Sequence, residues 1–124
     1  MTINLKHDKM DLVLRPLMPD DAEVIAIMAN NKNIWLNVRD QMPYPYTLQD
    51  AENFIAFAQT TKSSQIFGIV FESELVGAIG IHKMEDVYRA NFEVGYWIGE
   101  THWNKGFATS ALRLLLEYGF EKLK

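Results

Sequence analysis

The residues best suited to chemistry fall in two neighbouring segments near the end of the chain. The first is Phe92-Glu93-Val94-Gly95-Tyr96-Trp97-Ile98-Gly99, an apolar, strand-like run that carries a single carboxylate. A carboxylate in such surroundings is partly desolvated. Its pKa rises toward the range in which it accepts a proton near neutral pH, which makes Glu93 a candidate general base. Strand alternation puts Glu93, Gly95 and Trp97 on one face and Phe92, Val94 and Tyr96 on the other. A carboxylate hydrogen-bonded to a neighbouring strand, or paired with Arg89, fits the same pattern. The second segment is His102-Trp103-Asn104-Lys105-Gly106-Phe107-Ala108-Thr109, followed by a helical apolar pattern from Ala111 to Leu123. A strand that turns through small residues into a helix aims unpaired N–H groups and the positive end of the helix dipole at the space above the turn. An anion such as a pyrophosphate fits there. Gly106 lets a ligand approach the backbone, Ala108 adds little bulk and Lys105 supplies a cation. One glycine and one alanine also suit an ordinary strand–turn–helix junction, and the pattern is neither a dinucleotide fingerprint nor a Walker loop.

The elements that must position these segments are legible in outline. Asp11 to Pro16 reads as a strand, closed by Pro16. Residues 1–9 are polar and read as a loose or edge extension. Pro19 suits a first helical turn, where Asp20, Asp21 and Glu23 complement the dipole. Ala22, Ile25, Ala26, Met28 and Ala29 form an apolar stripe that Asn30-Asn31-Lys32-Asn33 ends. Ile34 to Tyr46 reads as a linker containing Pro43 and Pro45. Thr47 caps a second helix, with Asp50 in the capping-box position and Phe54, Ile55, Phe57 and Ala58 on its buried side. Gln65 to Phe71 and Leu75 to His82 read as a hairpin around Glu72-Ser73-Glu74, and Tyr88 to Gly99 as a third antiparallel strand. Ala108, Leu112, Leu115, Leu116, Phe120 and Leu123 share one face of the last helix. The order is β-α-α-β-β-β-α, an α+β chain with a mostly antiparallel sheet flanked by helices.

Composition narrows the function classes. A chain of 124 residues with 48% hydrophobic content fits one small domain with a packed core. The net charge of −4 and pI near 5.3 argue against a nucleic-acid partner, which selects for basic patches. The absence of cysteine excludes disulfides, thiolate metal sites and a cysteine nucleophile, and fits a reducing, cytoplasmic setting. No apolar run approaches the length of a membrane span, and the first ten residues lack a signal-peptide core.

The loop resembles the acetyl-coenzyme A loop of the GNAT acetyltransferase superfamily, and more narrowly that of its ribosomal-protein N-terminal acetyltransferases. The superfamily pattern Gln/Arg-x-x-Gly-x-Gly/Ala falls on Trp103-x-x-Gly106-x-Ala108. This branch commonly reads Tyr-Trp-Gly-Lys-Gly-Tyr-Ala-Thr, so His102 and Asn104 are the departures. Where a glycine's positive φ is needed at position 104, asparagine is the most tolerant replacement. The similarity extends from about Leu12 to the end of the chain. Leu12-Val13-Leu14-Arg15-Pro16-Leu17 with Pro19-Asp20-Asp21-Ala22 resembles the family's first strand and helix start. Tyr46 to Ala51 resembles the second helix start, Leu75 to Ile81 the third strand, and Glu93 to Trp97 the fourth.

The resemblance implies a single acetyltransferase-like domain over 1–124 that transfers an acetyl group from acetyl-CoA to a primary amine, without a metal. Glu93 would serve as base, because some relatives carry a catalytic glutamate on this strand. Backbone N–H groups at Trp97 and Ile98 would meet the thioester or pantetheine arm, aided by a bulge that family members place in this strand. Asn104, Lys105, Gly106, Phe107, Ala108 and Thr109 would hold the pyrophosphate. The acceptor would be a protein N-terminal amine or a small molecule, and Trp35, Tyr44 and Tyr46 would border its pocket or pack on the sheet. Complete members continue past the last helix, so the C-terminal part of the fold is expected to be missing here, with the tyrosine that usually protonates the leaving thiolate. A chain ending at Lys124 would present an open strand edge and is expected to self-associate into a homo-oligomer. A non-catalytic CoA-binding or structural module is the alternative reading, and the loop alone would also suit another phosphate ligand. His7, His82 and His102 lack metal-ligand spacing and read as surface or packing residues. Ser63, Ser64, Ser73 and Ser110 lack a nucleophile-elbow context.

Overall fold

The computed structural model describes residues 5–6, 12–38, 42–61, 64–85 and 90–122, with backbone only at 5–6, 35, 37–38, 83–85, 90–93 and 118–122. Among these residues five strands form one sheet in sequence order, with every neighbouring pair antiparallel. They are β1 (Leu5–Lys6), β2 (Leu12–Pro16), β3 (Ser64–Phe71), β4 (Glu74–Glu85) and β5 (Ala90–Ile98). The α-helices described with them are α1 (Ala22–Ala29), α2 (Lys32–Val38), α3 (Leu48–Thr60) and α4 (Phe107–Lys122). The α+β class, the hairpin and the three-strand antiparallel run agree with the sequence reading. None of the described helices is long and apolar enough to cross a membrane.

Glu72 and Ser73, at φ 50° and 68°, form the two-residue turn of the β3–β4 hairpin. Positive φ at both central residues matches the twist of the flanking strands. Further along, Ile69 pairs with Gly77 while Val70 pairs with Leu75, so Val76 is an extra residue in β4. Such a bulge reverses the side-chain alternation. Leu75 therefore faces one side of the sheet together with Ala78, and Val76 faces the other with Ile79 and Ile81. The irregularity expected in β5 lies here instead, for β5 pairs with β4 without a register shift from Gly77–Ile98 to Glu85–Ala90.

The sheet separates two cores. On one side Leu12, Leu14, Phe67, Ile69 and Ile98 pack against Phe107, Ala111, Leu114 and Leu115 of α4. On the other, Val70, Ala78 and Trp97 pack against Ile25, Ile34, Ala51 and Ile55 of the three preceding helices. The chain leaves β2 through a short 3-10 turn, Pro19–Asp21. Arg15 donates to both oxygens of the buried Asp21 carboxylate at 2.9 Å, and the Met18 amide donates to it at 2.8 Å. Burial alone would raise the Asp21 carboxyl. The Arg15 and Met18 hydrogen bonds and the Arg15 charge outweigh it and hold the group below its ordinary value.

Three details depart from the sequence reading. The segment expected as a linker from Ile34 begins inside α2. Asn30 closes α1, its amide donating to the Ala26 carbonyl at 3.2 Å, and the adjacent Asn31 caps α2, its Oδ1 accepting from the amides of Asn33 at 2.8 Å and Ile34 at 3.3 Å. On α3 the capping box of Thr47 and Asp50 is present, but Ala51 and Ile55 supply the buried line while Phe57 is half exposed. On α4 the buried line is Phe107, Ala111, Leu114 and Leu115, one position from the expected stripe, and Leu116 is exposed. Both stripes share the helical period, and the contact of the Phe107 ring with Phe71, centroids 4.7 Å apart, selects the first. Leu123, Tyr88 and Arg89 lie outside the described residues, as does the side chain of Phe120.

Candidate functional site

At the end of β5 the Gly99 amide donates to the Val76 carbonyl at 2.8 Å, toward β4. Backbone groups alternate in direction along a strand, so Trp97 also faces β4, while Tyr96 and Ile98 face the open edge of the sheet. The Ile98 carbonyl agrees: it accepts from the Trp103 indole Nε1 at 2.7 Å. Beyond β5 a 3-10 turn, Glu100–His102, leads to Asn104 at φ 64° and Gly106 at φ 80°. Asparagine thus takes the left-handed conformation that position 104 demands. The first helical bond of α4 runs from the Ser110 amide to the Gly106 carbonyl at 3.0 Å, so the amides of Phe107, Ala108 and Thr109 precede the helical ladder. A Cβ placed on Gly106 would meet nothing within 4 Å.

Side chains hold this turn from several directions. The Glu100 carboxylate accepts from Asn31 Nδ2 at 2.9 Å and Asn33 Nδ2 at 2.7 Å, and these bonds hold it below the usual carboxylate range. The link ties the turn to the start of α2. His102 lies 3.8 Å from Glu74 across the β3–β4 turn and packs on Phe107. Trp103 lies against both cores.

Two cavities meet at β5. The first, about 610 Å³, is lined by residues 94–98, Ile34, and the turn from His102 to Thr109 except Lys105. The second, about 660 Å³, lies between α3 and the sheet, with Tyr46, Asp50, Phe54, Phe57, Ile66 and His82 in its wall. Gly95, Tyr96 and Trp97 line both. A Cβ on Gly95 would meet nothing within 4 Å, so the space beside the shared wall is open at that point. The buried Tyr46 hydroxyl is pushed up to about 12, by burial first and the Asp50 charge second. It stays a protonated donor through the neutral range and reaches the Asp50 carbonyl at 3.4 Å. His82 Nδ1 shares a hydrogen bond with the Ser64 hydroxyl.

The structure gathers most of the residues expected from the sequence around the first cavity. Gly106, Phe107, Ala108, Thr109, Asn104, Trp97 and Ile98 all line it. Phe107 is buried and anchors the turn, Trp97 is a core residue, and Lys105 is exposed outside the lining. Among the described residues no cluster of histidine, cysteine or acidic side chains is placed to hold a metal. The backbone of Glu93 pairs with His82, and its side chain lies outside the described residues, as does that of Trp35. Tyr44 is exposed and Tyr46 buried. The sequence reading missed the Trp103 tether and the Ser64–His82 pair. Counted outward from the turn without a bulge, Ser64 opposes Ile81; the extra residue Val76 slides the pairing by one and brings His82 opposite.

Over residues 11–124 the sequence matches the acetyltransferase (GNAT) domain. The chain belongs to the GNAT acetyltransferase family. The GNAT relatives include the uncharacterized N-acetyltransferase YoaA of Bacillus subtilis, 28% identical over 116 residues, which cover 90% of this chain and 64% of that protein. The putative ribosomal N-acetyltransferase YdaF of the same organism is 39% identical over 57 residues, 46% of this chain and 31% of that one. The chain thus spans less than two thirds of the length of these curated relatives. Among solved structures, a GNAT-family acetyltransferase from Bacillus anthracis superposes with a TM-score of 0.80 at 24% identity, covering 98% of this chain and 68% of that one. The microcin C7 self-immunity acetyltransferase MccE, solved with acetyl-CoA and AMP, gives 0.69 at 22% identity, covering 93% of this chain and 66% of that one. At these identities the likeness is one of GNAT fold, and it includes the ribosomal acetyltransferase RimL at a TM-score of 0.77 and 15% identity over 98% of this chain and 67% of that one.

Proposed function

We propose that this chain carries the acetyl-CoA site and part of the acceptor site of an N-acetyltransferase acting on a primary amine. The observation that carries the reading is the meeting of two cavities at Gly95, Tyr96 and Trp97. A thioester laid along the open edge of β5 from one side would face an amine entering from the other. The residues suit the cofactor. The amides of Phe107, Ala108 and Thr109 and the α4 dipole would hold the pyrophosphate, and the outward amides of Tyr96 and Ile98 would meet the pantetheine arm. Lys105, exposed beside the turn, would add a cation by reorienting.

The amine nitrogen would attack the thioester carbonyl carbon directly. The C–N bond forms, the C–S bond breaks, and sulfur leaves as a thiolate that takes up a proton. Glu93, in the strand that walls both cavities, would accept the ammonium proton, directly or through water. A backbone amide of the shared wall would stabilise the developing oxyanion. No step routes through a metal, and the setting is the cytoplasm. The acceptor is a protein N-terminal amine, a reading supported by the similarity to YdaF, with a small polyamine as the competing class.

Calorimetry with acetyl-CoA, coenzyme A and ATP tests the cofactor assignment, with binding of the first two expected. Release of free thiol in the presence of a serine-initiated peptide or spermidine tests the reaction. Acetyl-CoA binding without thiol release from either acceptor would mark the chain as a CoA-binding module.

A further inference from the structure

Hairpin register places Ser64, His82 and Glu93 directly opposite one another on β3, β4 and β5, a polar rung across three strands. Directly opposed residues of antiparallel strands share a face, with Cβ atoms about 5 Å apart. That face is the wall of the second cavity, which His82 lines at two residues' distance from Gly80 and its partner Gly95. His82 is half-buried and fixed through Nδ1 by the Ser64 hydroxyl. The Ser64 hydroxyl can donate or accept, so the bond fixes the orientation of the ring, and the tautomer follows the direction in which that bond runs. With Nδ1–H donating to Ser64 Oγ, Nε2 carries the free lone pair, and among the described residues it has no hydrogen-bond partner.

We propose that His82 is a proton-accepting residue of the acceptor cavity, oriented by Ser64 as its positioning residue. This rests on the acetyl-transfer reading above and adds a group to it. The acceptor enters as an ammonium ion, and Nε2 takes one proton, directly or through one water. The freed lone pair forms the C–N bond to the thioester carbon and the C–S bond breaks. The second nitrogen proton goes to the departing thiolate, and the proton on His82 passes to solvent. The products are an amide, the free thiol and one proton. The other titratable groups described in this wall leave the role to His82. Asp50 is occupied by the amide and hydroxyl of Thr47, and Tyr46 holds its proton. Tyr96 is exposed on β5. Glu93 holds the neighbouring register position on β5, and the ammonium proton assigned to it above would reach it by way of His82 on its way to solvent.

The test compares wild type, His82→Asn and Ser64→Ala by the pH profile of kcat/KM for thiol release, with acetyl-CoA and a serine-initiated peptide or spermidine. Asparagine retains a donor near the Nδ1 position and removes the base. His82→Asn is expected to lower kcat/KM about 10²-fold and to remove the limb of the profile in the histidine range. Acetyl-CoA affinity should stay unchanged, because His82 lies outside the first cavity. Ser64→Ala removes the acceptor that steadies the imidazolium, and should move the same limb to lower pH while retaining most activity. A His82→Asn protein within threefold of wild type, with the same profile, overturns the role. If His82→Asn does not fold, an unmoved limb in Ser64→Ala overturns it instead. Absence of acetyl-CoA binding in wild type overturns the acetyl-transfer reading and this role together. Binding without thiol release from either probe overturns the role of His82 in this chain.

Discussion

The two cavities that meet at Gly95, Tyr96 and Trp97 are built from different materials. The first is a backbone site. Its defining features are the outward groups of Tyr96 and Ile98, the positive φ of Asn104 and Gly106, and the leading amides of α4. The second is a side-chain site, in which Tyr46, Asp50, Phe54, Phe57 and His82 arrive from a loop, a helix and a strand. A backbone site demands particular conformations, so it constrains a short run of neighbouring residues. A side-chain site demands only that distant residues converge. One therefore reads as a motif and the other does not. The contrast fits the roles proposed above, with a ligand of unvarying phosphate and amide groups in the backbone cavity and an acceptor selected by shape in the side-chain cavity.

If that division holds, substitutions should separate binding from chemistry. The largest effect is expected for Glu93→Gln, which preserves size and removes basicity. The rate of thiol release should fall about 10²-fold, while calorimetry should return an acetyl-CoA Kd within twofold of wild type. A comparable loss in both quantities would break the comparison, since it would make Glu93 part of cofactor binding.

The converse result is expected from Gly106→Val. The side chain would enter open space above the turn and crowd an anion rather than the protein, while its φ of 80° strains any residue with a Cβ. Acetyl-CoA affinity should weaken about tenfold, the loss of one to two charge-assisted hydrogen bonds. Left-handed strain should cost about 1–2 kcal/mol of stability. Unchanged affinity in a folded variant would remove the pyrophosphate from this turn.

The same division explains what was legible in the sequence. Alternation and turn chemistry located β2 to β5, and the pairing of Thr47 with Asp50 located the start of α3. The tolerance of asparagine for the left-handed region anticipated the φ of Asn104. These are local properties. The start of α2 was hidden because Asn30, which closes one helix, is followed at once by Asn31, which caps the next. The buried line of α4 was misjudged by one position because adjacent stripes have the same period, and only the sheet beneath chooses between them. The Ser64–His82 pair depended on one extra residue at Val76, which no pattern of hydrophobicity announces. Convergence across a bulge is tertiary information, and the second cavity is made of it.

Trp103→Phe sharpens the comparison further, because it removes one hydrogen bond from the backbone site and leaves a smaller aromatic ring in its place. The Ile98 carbonyl loses its indole partner, and the turn loses its tether to the end of β5. About 1 kcal/mol of stability should be lost, read as a lower midpoint in urea. Acetyl-CoA binding should weaken several-fold, with no change in the pH profile of the reaction. A variant altered only in its pH profile would place Trp103 with the chemistry instead.

The smallest effect is expected at Glu100, the exposed carboxylate that joins the turn to α2. Donation by Asn31 and Asn33 holds its folded pKa below the ordinary value. A group shifted in this direction releases its proton more readily in the folded state. Its contribution is therefore fully present above the ordinary carboxylate pKa and is lost as pH falls through the folded value. Thermal unfolding of wild type and Glu100→Gln should differ slightly at pH 7, with wild type the more stable. The two midpoints should converge as the buffer is taken toward pH 3, because protonated Glu100 and glutamine make similar neutral contacts. High salt should leave most of the gap in place, since the partners are amides rather than charges. A gap that persists unchanged at pH 3 would mean that the link acts through shape alone. The backbone cavity would then owe its geometry to the turn itself and not to the side chains that brace it.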